Sequence, residues 1–389
     1  MPTAFDVRAL ASTVRIELDD TLTADEQESI RSNWADLLIE QSDAPAFTIR
    51  GSVAGKAAEA KSAGTRSITL RSAAELAQRI TSEVTLAAIT ELSGDALMLH
   101  AAAIALDDGR VIGFVGPSGR GKTTASQALG RVHGYVTDET LAIRPDRSVV
   151  PYRKPLSIGR SPDVKRSEPA SALGLREASA ADLRLAALVL LDRRPDIERP
   201  FVESLTLTEA LPELVPQTSY LAALSRPLRL LAELVNATGG VRRVVYSEAD
   251  TLPDLIDDIL TTVQPEASQL SDVAATYRRD CDCFAELLPG APLFTTPLDQ
   301  VRSGSYQRTN QSDALMVDGR LVILLRHDVF VLDGLGPIVW LAADGLIEEE
   351  VRDVVTRQLP EPPEGVDPSA AIAAALSQLV GAKLLLLRR

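Results

Sequence analysis

Cysteine and histidine are scarce in this 389-residue chain, which has two of the first and three of the second. Cys281 and Cys283 are separated by one residue, so they cannot build a disulfide framework. Five such side chains are also too few for an easily assembled four-ligand zinc site, and they disfavour a hydrolase of the Ser-His-Asp kind. We therefore expect no structural metal.

Long apolar runs are absent too, because no segment reaches the roughly 18 residues of a transmembrane helix. The first residues, MPTAFDVRAL, lack the apolar core of a signal peptide, so we expect a cytoplasmic chain. The formal net charge of −14 disfavours nucleic acid or an anionic membrane as a partner, since both attract basic surfaces. The length allows two or three domains.

Positive charge is nevertheless concentrated in one stretch. Between Arg110 and Arg166 there are eleven Lys and Arg residues against four Asp and Glu residues. This stretch is either a locally basic surface or an electropositive binding pocket for a polyphosphate. A glycine-rich loop within it favours the polyphosphate.

That loop, Gly-Pro-Ser-Gly-Arg-Gly-Lys-Thr at residues 116–123, matches the pattern G-x-x-x-x-G-K-[ST] in full. The apolar residues 111–115 before it predict a buried strand, and the residues after Lys122 predict a short helix that stops near Gly130. Backbone N–H groups and the helix N-terminus would cradle phosphate, with Lys122 at the outer phosphates and the Thr123 hydroxyl on Mg²⁺. The predicted nucleotide-binding residues are Gly116, Ser118, Gly119, Arg120, Gly121, Lys122, Thr123 and Thr124.

Two carboxylates, Asp138 and Glu139, lie in a short β-rich run one strand beyond the loop. There they could hold Mg²⁺ or take the proton from an attacking hydroxyl, and the alternative is a solvent-facing turn. Arg153 and Lys154, after a further strand, could contact phosphate or cap a strand edge. His100 lies beside a strand before the loop and is either structural or part of the site.

A further carboxylate of interest, Asp192, ends the apolar run 184–191. Many nucleotide-hydrolysing enzymes have a Mg²⁺-associated carboxylate in such a position. Arg193 and Arg194 follow at once, so a structural Asp–Arg ion pair is equally consistent with the sequence.

The regions on either side of the loop differ in character. Residues 1–95 contain short predicted strands at 47–50 and 67–70 and a helix capped by Ser72, with Glu75 in its first turn. We interpret this region as a flank of the nucleotide-binding domain.

A Pro- and Gly-rich stretch near 289–297 predicts a linker, and residues 305–389 predict a small separate module. In this module Asp318-Gly319 predicts a hairpin, and helices are predicted at 347–358 and 368–381. The elements suit a winged-helix-like unit. Acidic residues outnumber basic ones there, so a peptide or protein partner fits better than DNA.

The stretch from His100 to Lys154 resembles the HPr kinase-like family, whose core is related to ATP-dependent phosphoenolpyruvate carboxykinase. The resemblance rests on His-Ala-Ala before the loop, on GPSGRGKTT, on Asp138-Glu139 and on Lys154-Pro155-Leu156-Ser157. It extends over roughly residues 95–298 and implies an α/β core with a mixed sheet, dependence on ATP and Mg²⁺, and a homo-oligomer. The family commonly has two aspartates at the paired position, so Glu139 departs from its pattern. The family histidine corresponds to His100.

The C-terminal module resembles the PqqD family of winged-helix peptide chaperones. The shared features are the Asp318-Gly319 hairpin, Val331-Leu332-Asp333-Gly334, and Ile338-Val339-Trp340 before Asp344-Gly345. The family usually has asparagine where this chain has Asp333. The resemblance implies a small α+β domain that holds the leader segment of a ribosomally made precursor peptide against an edge strand and a helix.

These features predict a three-part chain, with a flank at 1–95, an HPr kinase-like P-loop domain at 96–298 and a PqqD-like domain at 305–389. The predicted activity is ATP- and Mg²⁺-dependent phosphorylation of a hydroxyl, that of a serine, in a peptide or protein. A nucleotide-gated peptide-binding adaptor and a small-molecule hydroxyl kinase are the alternatives.

The same sequence features and resemblances predict the roles of individual residues in the site. Asp138 is the expected catalytic base, assisted by Lys122 and His100. Thr123, Asp138 and Glu139 are the expected metal-binding residues.

Overall fold

The chain is described by a computed structural model that covers residues 2–117, 121–159, 166–264, 266–273, 302–360, 365 and 367–388. It forms two compact units. The first comprises Met1–Leu205, Gln217–Leu224 and Leu234–Pro265, and the second comprises Thr206–Pro216, Ser225–Glu233 and Glu266–Arg389. The division of the chain into three functional parts stays a prediction.

The strands are numbered along the chain. They are β1 (Thr3–Ala9), β2 (Ser12–Leu18), β3 (Leu38–Ile39), β4 (Phe47–Val53), β5 (Ala58–Ser62), β6 (Thr65–Leu70), β7 (Leu97–Ala105), β8 (Arg110–Val115), β9 (Gly134–Thr137), β10 (Thr140–Ile143), β11 (Val149–Val150), β12 (Leu156–Ile158), β13 (Arg166–Glu168), β14 (Arg184–Arg193), β15 (Phe201–Leu205), β16 (Thr218–Ser219), β17 (Val241–Tyr246), β18 (Leu270–Asp272), β19 (Tyr306–Arg308), β20 (Asp313–Val317), β21 (Arg320–Leu325), β22 (Asp328–Leu332) and β23 (Leu385–Leu387).

The α-helices are numbered in the same way. They are α1 (Ala24–Ser32), α2 (Ala73–Glu91), α3 (Lys122–Val132), α4 (Leu207–Leu214), α5 (Pro227–Ala237), α6 (Ile256–Thr261), α7 (Gly336–Ala342), α8 (Glu348–Gln358) and α9 (Pro368–Gly381). Among the described helices, none is long and apolar enough to cross a membrane.

The N-terminal residues build a six-stranded sheet in the order β3-β1-β2-β4-β6-β5. Alternating burial along β2 gives the sheet an apolar face, against which α2 packs. The predicted strands at 47–50 and 67–70 and the helix after Ser72 are confirmed, and the Ser72 hydroxyl accepts the N–H of Glu75. The sequence patterns do not predict β1, β2 or β5. In β5 every residue is exposed, so it carries no hydrophobic signal.

The larger sheet has the order β11-β10-β7-β8-β14-β17-β15, and β9 and β16 also pair with β7. Its central strands β8, β14 and β17 are parallel, whereas β7 is antiparallel to β8. The mixed sheet is thus confirmed. The turn Asp107-Asp108-Gly109 between two apolar runs also predicts a hairpin, and β7 and β8 form it. Because β8, β14 and β17 run the same way, their carboxyl ends meet at one edge, where the glycine loop leaves β8 and ligands bind in such sheets.

The second unit contains a sheet in the order β18-β20-β21-β22, and α7, α8 and α9 share its hydrophobic core. The predicted hairpin at Asp318-Gly319 and the helices at 347–358 and 368–381 are confirmed. The winged-helix classification stays a prediction. The predicted linker, both cysteines and a strand predicted at 283–288 lie outside the described residues.

One buried cation of the first unit is held entirely by carbonyl groups among its described contacts. Arg242 in β17 is 1% exposed and donates to the carbonyl oxygens of Ile259 at 3.0 Å, Thr238 at 2.7 Å and Gly240 at 2.7 Å. These carbonyls lie near the ends of α5 and α6, where the helix dipole favours a cation. Burial lowers the pKa of Arg242, and the three short hydrogen bonds offset that cost.

We predict that Arg242→Met lowers the free energy of unfolding by about 3 kcal/mol, because three buried carbonyls lose their donor. Arg50→Met is the matched control, since Arg50 is 60% exposed in its ion pair with Glu17, and it should change stability by less than about 0.5 kcal/mol. Urea unfolding of both variants measures the difference. Equal effects would show that the carbonyl contacts of Arg242 contribute nothing.

Candidate active site

The two ends of the glycine loop are described, while its central residues 118–120 (Ser-Gly-Arg) lie outside the described residues. Gly121 precedes α3 with a φ of +87°, in the left-handed region that favours glycine. Among the described residues no side chain caps α3. The first N–H groups of this helix are therefore available to an anion, as the loop motif requires.

Lys122 is buried, and its ammonium is turned onto the backbone of the loop. Its Nζ donates to the carbonyl oxygen of Gly116 at 2.5 Å and to that of Pro117 at 3.1 Å. Burial lowers the pKa of Lys122, while Asp138 and Glu139 act in the opposite direction. A phosphate entering the loop would have to draw the ammonium away from these two carbonyls.

Asp138 is the centre of the site and is only 6% exposed. Its Oδ2 accepts the hydroxyl of Thr123 at 3.3 Å, while its Oδ1 accepts the hydroxyl of Tyr135 at 3.1 Å and faces Lys154 Nζ at 3.1 Å. Burial, with the nearby Asp138 charge, raises the pKa of Tyr135 well above its ordinary value. The phenol therefore stays protonated and donates. The sequence predicts that Asp138 lies near the loop, and its contact with Thr123 shows that it does.

Lys154 joins the two carboxylates. Its Nζ lies 3.1 Å from Asp138 Oδ1 and 3.0 Å from Glu139 Oε2, and it donates to the carbonyl oxygen of Pro155 at 3.2 Å. Burial lowers the pKa of Lys154, but the two carboxylates raise it more, so the net pKa lies above that of free lysine. The sequence allows Lys154 to cap a strand edge or to contact phosphate, and the structure shows neither role directly. Instead Lys154 is the counter-ion of Asp138 and Glu139.

His100 lies beside this cluster, with its Nδ1 3.1 Å from the backbone carbonyl oxygen of Glu139. The contact arises because His100 in β7 stands opposite Thr140 in β10. Burial and then the charge of Lys122 lower the pKa of His100, although Glu139 and Asp138 oppose the shift. The imidazole is therefore neutral near pH 7, and the backbone carbonyl of Glu139 holds it in place. The catalytic role of His100 stays a prediction.

Two other candidates from the sequence form ion pairs with residues other than Asp138, Glu139 and Lys154. Arg153 donates to the carbonyl oxygen of Tyr135 at 3.0 Å and pairs with Asp36 at 3.3 Å. It thus links the sheet to the N-terminal segment. Asp192 pairs with Arg194 at 2.7 Å, which is the structural alternative that the sequence left open.

The sequence does not single out Tyr135, although this side chain is fully buried and contacts the central carboxylate. A tyrosine three residues before the carboxylate pair was the one available signal. Its hydroxyl needs a partner when buried, but only the fold shows that the partner is Asp138.

Oxygen ligands for a magnesium ion are present at the predicted positions. Thr123, Asp138 and Glu139 offer a hydroxyl and two carboxylates, which are the hard donors that Mg²⁺ prefers. The described residues contain no group of three or more His, Cys, Asp or Glu side chains arranged to hold a metal ion. Mg²⁺ in nucleotide sites uses only one or two carboxylates together with phosphate oxygens, so these residues fit it.

No family model matches the chain, and no curated protein matches it. Among solved structures, the HPr(Ser) kinase/phosphatase from Coxiella burnetii is similar over 42% of this chain and 93% of that chain. The two share 14% sequence identity, and the TM-score is 0.25. A likeness of this size carries no functional argument, so function has to be argued from the chemistry of the site.

We predict that Lys154→Met lowers the free energy of unfolding by about 3 kcal/mol at pH 7, because it leaves two carboxylates without their counter-ion. The pKa of Lys154 is raised in the folded state, so its contribution is complete below the ordinary lysine pKa of about 10.4. Above that pH the unfolded chain releases the proton first, and the contribution shrinks. The difference between wild type and variant should therefore narrow as pH rises past about 10.

Urea unfolding between pH 7 and pH 11 measures this difference. Lys56→Met, at an exposed position, is the control and should differ little from wild type across the range. A difference for Lys154→Met that stays constant up to pH 11 would contradict the raised pKa.

Proposed function

We propose that this chain is an ATP- and Mg²⁺-dependent kinase that transfers a phosphoryl group to a hydroxyl, that of a serine, in a peptide or protein. The observation that carries the proposal is the 3.3 Å contact between the Thr123 hydroxyl and Asp138. It joins a buried carboxylate to the last residue of a phosphate-binding loop. This combination of an anion site and an adjacent base is what phosphoryl transfer requires.

The chemistry needs little covalent participation by the protein. The N–H groups at the start of α3 and the ammonium of Lys122 stabilise negative charge on the transferring phosphoryl group. When bound, Mg²⁺ neutralises further phosphate charge, and Thr123, Asp138 and Glu139 would hold it. The substrate oxygen forms a bond to the γ-phosphorus, the bond from that phosphorus to the bridging oxygen breaks, and ADP leaves.

The proton of the attacking hydroxyl goes to Asp138. Its two oxygens differ, because Oδ1 is occupied by Tyr135 and Lys154, whereas Oδ2 faces the hydroxyl of Thr123 at 3.3 Å. If the Thr123 hydroxyl turns toward the metal, Oδ2 becomes the oxygen that can accept a proton. Lys154 Nζ, 3.1 Å from Oδ1, places a positive charge beside this carboxylate.

The two contacts at Oδ1 also support a second candidate function. An Asp138 held by Lys154 and Tyr135 suits a nucleotide-gated adaptor that binds ATP, turns it over slowly if at all, and regulates the grip of the second unit on a partner. A kinase acting on a small hydroxy compound is the third alternative. Each of these reactions places the phosphate label in a different product.

Peptide capture is assigned to the second unit in this proposal. A groove of about 520 Å³ lies between β22 and α9, with residues such as Leu332, Leu335, Ala371 and Ala375 along its walls. Among the described strands β22 is at the edge of its sheet, so its outer side could accept an added strand. A leader segment held there would raise the effective concentration of the substrate attached to it.

We predict that Lys122→Ala lowers ATP-dependent transfer by about 10²-fold or more, because it removes charge stabilisation of the phosphoryl group. Asp138→Asn should retain nucleotide binding and lower turnover by about 10²–10⁴-fold, since it removes the base and leaves the loop in place. Labelled ATP and Mg²⁺ with precursor peptides encoded near the gene measure transfer, and calorimetry measures binding. If Asp138→Asn turns over at the wild-type rate, Asp138 is not the catalytic base.

The same labelling experiment separates the three candidate functions. Label in the peptide supports the kinase proposal. Nucleotide binding without transfer supports the adaptor, and label in a metabolite supports the small-molecule kinase.

We predict that Ala374→Glu weakens binding of the leader peptide by about 10-fold, because Ala374 lines the groove and an unpaired carboxylate would be buried beneath the peptide. Ser377→Glu is the matched control, since Ser377 is exposed on the same helix and does not line the groove. Fluorescence anisotropy with labelled peptide measures both. Equal affinities for the two variants would place the peptide elsewhere.

A further inference from the structure

Tyr246 is a buried side chain whose hydroxyl has no hydrogen-bond partner among the described residues. The residue ends β17, is 1% exposed, and packs in the hydrophobic core with Ala125 and Leu129 of α3. In the part of the chain that the structure describes, its hydroxyl oxygen is enclosed and forms no hydrogen bond. Such an atom costs free energy, because a phenol that leaves water normally finds a new partner.

The unpartnered hydroxyl lies at the start of α3. It is 3.7 Å from the position that a Cβ atom on Gly121 would occupy. β17 runs parallel to β14, and β14 runs parallel to β8, so Tyr246 is at the same edge of the sheet as the loop that follows β8. Two kinds of donor are thus close together, namely the uncapped N–H groups of α3 and the phenol.

The charge state of this phenol is settled by its surroundings. Burial raises the pKa of Tyr246, Arg193 lowers it and Asp192 raises it, with a net upward shift. The phenol is therefore neutral and can donate a proton to a hydrogen bond. Packing alone does not account for the hydroxyl, since phenylalanine would fill almost the same volume without an unpaired polar atom.

The side chain of Lys122, in the first turn of α3, would also have to change its contacts when phosphate arrives. Lys122 at present donates to the carbonyl oxygens of Gly116 and Pro117, and it has to leave them to reach a phosphate. Gly121, beside the phenol, immediately precedes Lys122. The movement that frees the ammonium is therefore expected next to the enclosed hydroxyl.

We propose that Tyr246 is a nucleotide-positioning residue, whose hydroxyl donates a hydrogen bond to an oxygen of the phosphate tail bound at the N-terminus of α3. This inference rests on the proposed nucleotide-binding function. Part of the binding free energy then comes from giving a partner to a hydroxyl that has none within the described part of the free protein. Tyr246 lowers the stability of the free protein and raises its affinity for nucleotide.

The test is Tyr246→Phe, with Tyr152→Phe as the matched control. Tyr152 is equally buried, but its hydroxyl is bonded to that of Thr85 at 2.9 Å. Thermal denaturation without nucleotide gives the stability of each variant, and calorimetry with the non-hydrolysable ATP analogue AMP-PNP and Mg²⁺ gives the affinity.

We expect Tyr246→Phe to melt at or above the wild-type temperature without nucleotide and to bind the analogue about 3–10-fold more weakly, as for one lost hydrogen bond. Tyr152→Phe should show the reverse, with a lower melting temperature and unchanged affinity. The opposite directions distinguish a ligand contact from a structural one.

Wild-type affinity in Tyr246→Phe overturns the inference and leaves the proposed function intact. A melting temperature lowered as far as that of Tyr152→Phe also overturns it, because the hydroxyl would then have a structural partner. If the wild-type protein itself does not bind the analogue, the inference and the proposed function both fall.

Discussion

The ammonium of Lys154 holds the carboxylates of Asp138 and Glu139 together at the centre of the candidate site. Its Nζ lies 3.1 Å from Asp138 Oδ1 and 3.0 Å from Glu139 Oε2. Lys154 and Asp138 are both almost fully buried, so removing the lysine would leave Asp138 without its counter-ion in a poorly solvated position. Because Lys154 lies at Oδ1, the other oxygen of Asp138, Oδ2, is the one that faces Thr123.

The same interaction constrains the proposed reaction. Lys154 and the hydroxyl of Tyr135 both contact Oδ1 of Asp138, so Oδ2 is the oxygen left for the proposed proton transfer. The transition state of phosphoryl transfer needs charge stabilisation more than it needs a strong base. Thr123 connects this carboxylate to the glycine loop, since it contacts Asp138 and is the last residue of the loop motif.

The two flanks of α3 contribute different chemistry. On one side Asp138 contacts Thr123, and on the other the Tyr246 hydroxyl lies next to Gly121. The parallel order of β8, β14 and β17 creates this arrangement, because it brings the ends of distant segments to one edge. The helix N-terminus then provides the positive potential that both flanks share.

Local sequence was sufficient for those features that depend on neighbouring residues. The strand before the glycine loop, the helix after it, the β7–β8 hairpin and the helix α9 follow from glycine spacing, turn residues and apolar periodicity, and each is where the sequence predicts it. The six-stranded N-terminal sheet was mostly not predicted, because β5 is fully exposed and pairing between distant strands leaves no local pattern.

Which side chains contact one another depends on the fold. Residue spacing alone predicts that a glycine loop, a carboxylate pair and a lysine occur in one stretch. That Lys154 bridges Asp138 and Glu139, that Tyr135 donates to Asp138, and that Asp192 pairs with Arg194 follow from the fold. Side-chain partners are set by strand pairing and burial across the chain, and neither is encoded in the spacing of adjacent residues.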